Sequence, residues 1–320
     1  MAPSAAIEAN AIGKDYGKLV AVDELTFSAE AGEIVGVLGP NGAGKTTAIR
    51  VLTTILSPDR GTFSVAGIPH TRSSEIRRRI GVLPESAGYP ERQTGEEYLR
   101  YHARLYGHDR SSARAVAAAL LEEVGLAVRG GSLIDTYSRG MRQRLGIARA
   151  LVNEPSVVFL DEPTLGLDPA GQRQILSRVR GIARDRGATV LLSTHLLAEV
   201  EETCSRVLIL NSGRVAVAGT VSEVVSRAAA PRSARLRVPP EQVERAIAAL
   251  GTAPGVERTV PADGLPGSLT VTLAEQDGRP SAELMTAPLR ALVEAAVPLL
   301  SYELEGARLS DAFLAMTEAS

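Results

Sequence analysis

Short apolar runs and helical periodicity predict the strands and helices of the first two thirds of the chain. Residues 34–38, 157–160 and 189–193 are short, largely apolar runs without alternation, which is typical of parallel strands buried on both faces. "LVAVDELTFSAE" alternates instead and predicts short, half-buried strands before residue 33. Helical spacing fills about 86–151, where Thr94 and Glu97 form a capping pattern and Tyr98 and Tyr101 are predicted to share an inward face. The pattern predicts an α/β fold that begins with strands and contains a helical stretch at about 86–151.

The pattern changes after about residue 228. "RLRV", "VERTV", "SLTVTLA" and "LLSYELE" read as strands, while "EQVERAIAALG" and "AELMTAPLRALVEAAV" read as helices. Their order along the chain is βαββαβ, which favours a small α+β unit of the ferredoxin-like kind. We therefore predict two domains, 1–228 and 229–320, and no catalytic group stands out in the second.

The stretch "GPNGAGKTT" follows the first buried run and precedes a helix predicted over about 45–56. Lysine occurs only at positions 14, 18 and 45 of the chain, so Lys45 stands out in this loop. Gly39, Gly44, Lys45 and Thr46 fit the phosphate-binding pattern G-x-x-x-x-G-K-[ST]. Glycine lets backbone N–H groups approach phosphate, lysine supplies a compact charge, and the threonine hydroxyl can bind magnesium.

Polar residues also follow the other two buried runs. Asp161 and Glu162 come directly after 157–160, and His195 follows 189–193. Ligands of open α/β sheets bind at the carboxyl ends of the strands, so these side chains are expected beside the glycine loop. Asp161 is a candidate for holding hydrated magnesium, Glu162 for polarising an attacking water, and His195 for sensing the γ-phosphate.

A second anion-binding corner is predicted at "TYSRGMRQRLGIARALVNEP". Ser138 is placed to cap a helix, so Ser138 and Gly140 lie at a helix start, where the dipole favours negative charge. One nucleotide does not need two phosphate corners in one chain. Two chains that meet head to tail would use both.

The composition of the chain argues against a nucleic-acid-binding protein, an internal disulfide and a membrane-spanning segment. The formal net charge is −2, which gives no electrostatic case for nucleic acid. The arginines of 77–79 and Arg139, Arg142 and Arg144 are not interleaved with aromatics, so we interpret them as solvated helix faces. The single cysteine, Cys204, allows no internal disulfide. No secretion signal and no apolar run of about 20 residues is present, so we expect a soluble chain that reaches a membrane through a partner.

The combined motifs resemble the ATP-binding subunit of an ABC transporter over about residues 5–225. The resemblance implies a P-loop ATP-binding fold with a mixed sheet core, an N-terminal antiparallel β subdomain and a helical subdomain. It further implies magnesium as cofactor and a homodimer with head-to-tail ATP sites. It also implies catalytic roles for Glu162, His195 and Lys45, magnesium ligation by Thr46 and Asp161, and a dimer interface with Asp168 beside the signature residues. The ATP-binding positions that it implies are Tyr16, which stacks on adenine, and Gly39, Asn41, Gly42, Gly44, Lys45, Thr46, Thr47, Ser138 and Gly140.

The chain departs from the family pattern at two places. The signature, usually LSGGQ, is here Tyr137 to Met141, in which Ser138 and Gly140 are retained. Glu85 occupies the place of the usual glutamine, where it is either a further magnesium ligand or a local structural charge.

Tyr89 follows Glu85 on a loop closed by Pro90. The two residues are our candidates for coupling to the membrane permease of such a transporter, with Tyr89 as an aromatic interface anchor.

The ending "LSDAFLAMTE" resembles the tail common in ATP-binding subunits of drug and antibiotic exporters. The resemblance therefore implies an ATP hydrolase that drives export of a drug, antibiotic or lipid-like substrate through a separate membrane permease. It would work in the cytoplasm, peripheral to the cell membrane. Three alternatives stay open at this point: a soluble ABC ATPase of translation or DNA repair, a P-loop kinase, and a nucleotide-binding scaffold without turnover. The kinase alternative leaves "YSRGM" and His195 unexplained.

Overall fold

The computed structural model describes residues 5–227, 233–262, 265–274, 282–305 and 309. The chain divides into two compact units, Met1–Val221 and Ser222–Ser320. Among the described residues, none of the helices combines the length and the apolar character needed to cross a bilayer.

A six-stranded mixed sheet forms the centre of the first unit. Its strand order is β10-β9-β3-β8-β7-β6, with β10 antiparallel to β9 and the other neighbours parallel. Every residue of β3, β7 and β8 is buried, which explains why these strands lack alternation. The strands are β3 Ile34–Leu38, β6 Ile80–Leu83, β7 Val157–Asp161, β8 Thr189–Thr194, β9 Arg206–Asn211 and β10 Arg214–Thr220.

Three helices follow strands of the central sheet: α1 Lys45–Leu52, α6 Pro169–Arg186 and α7 Leu197–Thr203. Helix α1 ends four residues earlier than the predicted position 56, because Thr53 caps it and Thr54 turns to a left-handed φ of 61°. Its predicted start at Lys45, directly after the glycine loop, is confirmed.

An antiparallel sheet precedes and flanks the central one, and the alternating N-terminal pattern predicted its first strands. Its order is β2-β1-β4-β5, and its strands are β1 Ile7–Tyr16, β2 Leu19–Ala29, β4 Arg60–Val65 and β5 Ile68–Pro69. The short helix α2, Ser73–Arg77, follows it. Buried side chains of this sheet join those of the central sheet in one apolar core that includes Ile7, Ile12, Leu25 and Phe159.

Three helices fill the chain between β6 and β7: α3 Gly95–Leu105, α4 Arg110–Glu123 and α5 Arg139–Ala150. The predicted capping box is present, with Thr94 Oγ1 accepting from Glu97 N at 3.2 Å and Glu97 Oε2 accepting from Thr94 N at 2.8 Å. Tyr98 is buried, but Tyr101 is 56% exposed, so the prediction of an inward Tyr101 is wrong. The buried stripe of α3 runs through Leu99 and Ala103, and at about 100° per residue Tyr101 falls outside it.

The second unit is an antiparallel sheet with two longer helices. Its strands follow the order β12-β13-β11-β14, and alternate residues of β13 are buried. Leu236, Leu269 and Val271 from the sheet pack with Leu250 and Leu292 from the helices. The elements are α8 Val221–Arg227, β11 Ser233–Arg237, α9 Val243–Gly251, β12 Val256–Pro261, β13 Ser268–Leu273, α10 Ala282–Glu294 and β14 Ser301–Glu305.

Candidate functional site

The glycine loop joins β3 to α1 in a turn that admits no side chain at two of its positions. Gly44 caps α1 with φ 98°, and a Cβ atom there would lie 2.3 Å from the Ala21 carbonyl oxygen. A Cβ atom at Gly39 would lie 2.4 Å from the Leu210 carbonyl oxygen. Glycine at both positions therefore allows the loop to lie close against its neighbours, so that the N–H groups at the start of α1 face outward as an anion site.

Lys45 places a buried ammonium group in the middle of this loop. The residue is 6% exposed, and its Nζ donates to the carbonyl oxygens of Gly39 at 2.7 Å and Pro40 at 3.3 Å. The same atom lies 3.5 Å from Glu162 Oε1. A buried charge needs such partners, and this arrangement joins the loop to the carboxylate at the end of β7.

Asp161 gathers two hydroxyl groups at the end of β7. Thr46 Oγ1 donates to Asp161 Oδ1 at 3.2 Å, and Ser193 Oγ donates to the same oxygen at 2.5 Å. Ser193 Oγ also accepts from Glu162 N at 2.9 Å. Ser193 was not a predicted site residue, because nothing in the sequence pairs a serine of one strand with the acidic end of another.

The oxygen atoms of Thr46 and Asp161 fit a magnesium ion. Mg²⁺ prefers oxygen ligands, uses few of them from protein, and completes its shell with water and substrate phosphate. The described residues contain no group of three or more histidine, cysteine, aspartate or glutamate side chains that could hold a metal ion. Two protein oxygen atoms leave most of the ion's shell to water and phosphate, so this donor set suits an ion that enters together with a nucleotide.

Glu162 is the most constrained residue of the site. Its backbone has a left-handed φ of 47°, which is costly for a residue with a side chain. Its carboxylate is 9% exposed, with Oε2 2.9 Å from His195 Nδ1 and Oε1 facing Lys45. The three polar groups predicted at the ends of neighbouring strands thus converge, and His195, at 41% exposed, forms their solvent side.

A cavity of about 340 Å³ opens beside these groups. The glycine loop forms its floor, and Tyr16, 45% exposed, stands at the rim near Leu19 and Val20. Glu85 is exposed and lines the same cavity as Glu162, so the charged residue at the usual glutamine position does face the site. Predicted ATP-binding residues that line the cavity are Tyr16, Asn41, Gly42, Gly44, Lys45, Thr46 and Thr47.

Ser138, Gly140 and Asp168 lie apart from this cavity. Ser138 caps α5 as predicted, its Oγ accepting from Met141 N at 3.3 Å, and the residue is exposed. Asp168 caps α6, its Oδ1 accepting from Gly171 N at 3.2 Å. None of the three lines the cavity that holds the glycine loop.

Tyr89 is turned inward. Its hydroxyl donates to the Arg142 carbonyl oxygen of α5 at 2.8 Å, and its ring centroid lies 5.6 Å from that of Tyr98. Burial raises the pKa of this hydroxyl to about 12. The half-buried ring links the loop after Glu85 to α3 and α5, so it is not the free aromatic anchor that the loop sequence suggested.

Comparisons with known proteins agree with the geometry. The ABC transporter family model matches residues 22–165. The daunorubicin/doxorubicin resistance ATP-binding protein DrrA of Streptomyces peucetius is 44% identical over 227 residues, covering 70% of this chain and 68% of that protein. The daunorubicin resistance ATP-binding protein DrrA3 of Streptomyces coeruleorubidus is 37% identical over 313 residues, covering 98% of this chain and 96% of that protein.

A solved structure shows the same fold. It is a dimeric ATP-binding cassette in a post-hydrolysis state bound to ADP and phosphate, 23% identical, with a TM-score of 0.62. The match covers 67% of this chain and 98% of that chain. These comparisons favour a transporter subunit over the kinase and the translation or repair alternatives, and the chain belongs to the ABC transporter family, as an ATP-binding and ATP-hydrolysing subunit.

Proposed function

We propose that this subunit powers export of a drug-like or antibiotic compound through a separate membrane permease. The observation that carries the ATPase part is the Glu162 carboxylate held between Lys45 and His195, beside the Asp161 and Thr46 oxygens. The resistance proteins named above support the cargo class. The proposal places the subunit in the cytoplasm, at the face of the cell membrane that carries the permease.

The residues in and around the cavity have different roles in ATP binding and hydrolysis. The N–H groups of the glycine loop and Lys45 bind the phosphates, and Tyr16 stacks on the adenine. Magnesium, held by Thr46 and Asp161, supplies positive charge against the phosphate oxygens. Glu85 lines the same cavity and is the candidate for adjusting this magnesium requirement.

Glu162 acts as the base in this proposal. Lys45 contacts one carboxylate oxygen, Oε1, and His195 contacts the other, Oε2. A bound γ-phosphate attracts the Lys45 ammonium group, which frees Oε1 to accept a proton from the attacking water. His195 keeps the carboxylate oriented through its contact with Oε2 and, at 41% exposed, is the candidate for sensing the γ-phosphate.

The subunit acts as a homodimer with head-to-tail sites. Ser138, which is exposed, and Gly140, which is half-buried, form the N-terminal corner of α5 outside the cavity, so a second copy can present them to the nucleotide. Asp168 starts α6 on an exposed loop and belongs to the same interface. The proposal assigns no role to nucleic acid.

The permease is proposed to dock on an apolar surface of α3. Tyr101, Leu105 and Tyr106 are exposed here, and so is Ile55 beyond the end of α1. Ile55 and Tyr106 line a cavity of about 280 Å³ with His102. Exposed aromatic and aliphatic side chains around a cavity suit an inserted partner segment. Tyr89 contributes from inside, since it connects the loop after Glu85 to the helices beneath this surface.

The second unit is proposed to be a ferredoxin-like accessory domain over about 229–320. The βαββαβ order of its elements and its antiparallel strand order support this proposal. Its role is regulation or dimer support, because the predicted site residues all lie in the first unit. Deletion from Arg232 onward is expected to leave ATP binding intact and to weaken export or dimer persistence. Lost ATP affinity or an insoluble product would show that the two units depend on one another.

The test is co-expression with a candidate permease and reconstitution into proteoliposomes. Uptake of a fluorescent anthracycline into these proteoliposomes should require ATP on the outside, and Glu162→Gln should abolish it. Tyr101→Ala with Leu105→Ala should keep ATP hydrolysis in solution and reduce recovery of the permease. Val128→Ala, at a 97% exposed position on another surface, is the matched control. ATP hydrolysis without any effect of the α3 changes would refute the docking surface, and absence of ATP hydrolysis would refute the ATPase proposal itself.

A further inference from the structure

The first turns of α5 contact the segment that follows Glu162. Gln143 Nε2 donates to the Pro163 carbonyl oxygen at 3.0 Å in a half-buried position. Arg139 packs its guanidinium against Gly166, where a Cβ atom would lie 2.5 Å from Arg139 Cζ. The helix whose start carries Ser138 is therefore joined, within the same chain, to the loop that leaves the catalytic residue.

The backbone at Glu162 needs bonds on both sides to keep its conformation. A left-handed φ at a residue with a side chain persists only where the surroundings fix it. On the amino side, Ser193 Oγ accepts the Glu162 N–H. On the carboxyl side, the Glu162 carbonyl oxygen accepts from Leu165 N at 3.2 Å. The next residue, Pro163, has no N–H to donate, and its carbonyl oxygen accepts from Gln143.

We propose that Gln143 is a positioning residue for Glu162 of its own chain. The inference rests on Glu162 being the base of the proposed function. Ser138 and Gln143 lie five positions apart along the start of one helix, which moves as a rigid piece over such a short distance. When the Ser138 corner of one chain contacts the nucleotide bound by the other chain, the start of α5 is fixed in place. Through Gln143, it then fixes the backbone conformation of Glu162, which lies in the ATP site of the first chain. The Gln143 to Pro163 bond joins the two ATP sites of the dimer.

The test compares Gln143→Met with Gln174→Met in the full-length chain. Methionine keeps the length of glutamine without its donor. Gln174 lies exposed on α6, and in the described part of the chain its side chain has no hydrogen bond. We expect Gln143→Met to lower kcat roughly tenfold, the loss expected for one half-buried hydrogen bond. The affinity for ATP should match that of Gln174→Met, which should hydrolyse ATP like wild type. The unfolding midpoint of Gln143→Met should fall by only about 2–4 °C, the shift expected for a loss of about 1 kcal/mol.

The Gln143→Glu variant adds a pH-dependent measurement of kcat, which a general packing defect would not affect. The ionised carboxylate cannot donate to the Pro163 carbonyl oxygen, but the protonated acid can. The ratio of kcat for Gln143→Glu to that for Gln143→Met should therefore rise as pH falls from 7 to about 4.5, where roughly half of an ordinary glutamate carboxyl is protonated. A flat ratio, an unchanged kcat in Gln143→Met, or an equal loss in Gln174→Met overturns the inference. These results presuppose an active wild type, so inactivity of the wild type refutes the ATPase proposal instead.

Discussion

Replacing Ser193 by alanine tests how the catalytic carboxylates are held. The Ser193 hydroxyl lies on β8 with no exposure, donates to Asp161 Oδ1 at 2.5 Å and accepts from Glu162 N at 2.9 Å. Alanine removes both bonds and leaves the Glu162 N–H buried without this partner. A bond to a carboxylate contributes about 1.5–3 kcal/mol, and an unsatisfied buried donor costs about 1–3 kcal/mol. We expect the free energy of unfolding to fall by about 3 kcal/mol.

The assay is thermal unfolding of the Ser193→Ala protein. In a unit of 221 residues, 1 kcal/mol moves the midpoint by about 2–4 °C, so the expected shift is about 6–12 °C. The transition to follow is the one whose midpoint rises when ATP is added. Ser177→Ala, on the exposed face of α6, is the control and should change stability by less than about 0.5 kcal/mol. A shift below about 2 °C, equal to that of the control, would refute the reasoning.

Three further predictions concern titratable side chains: Glu162 and Glu85 at the site, and His102 on α3. Glu162→Gln should keep ATP affinity and lower turnover by about 10²-fold or more, because an amide cannot accept the proton, and near-normal phosphate release would contradict this. Glu85→Gln should stay active but shift the magnesium requirement, and superimposable magnesium titrations would make Glu85 a local structural charge. Burial, assisted by the Arg149 charge, lowers the pKa of His102 to about 4. The unfolded chain then binds a proton that the folded chain does not, so stability should fall as pH drops from about 6.5 to 4, and less so in His102→Gln, with midpoints compared at pH 7 and pH 5.

The phosphate-binding residues were predictable from the sequence because their chemistry is local. Gly39, Gly44, Lys45 and Thr46 work through a loop of neighbouring residues, so their spacing alone predicts the loop and the start of α1. The same holds for caps, such as that formed by Thr94, and for the apolar runs that became β3, β7 and β8. Parallel topology then required the ends of these strands to meet, which brought Asp161, Glu162 and His195 together as predicted.

Tertiary structure alone decided which side chains hold the carboxylates and which remain exposed. Ser193 follows Asp161 by 32 positions and Gln143 precedes Pro163 by 20, so no local spacing pairs them. Tyr89 is half-buried because its loop packs against α5, and Tyr101 is exposed because it lies outside the stripe of α3 that meets the other helices. A sequence pattern reports the periodicity of one element. The neighbour that an element meets, and therefore the hydrogen bonds and the free surface, depends on packing between elements distant in the chain.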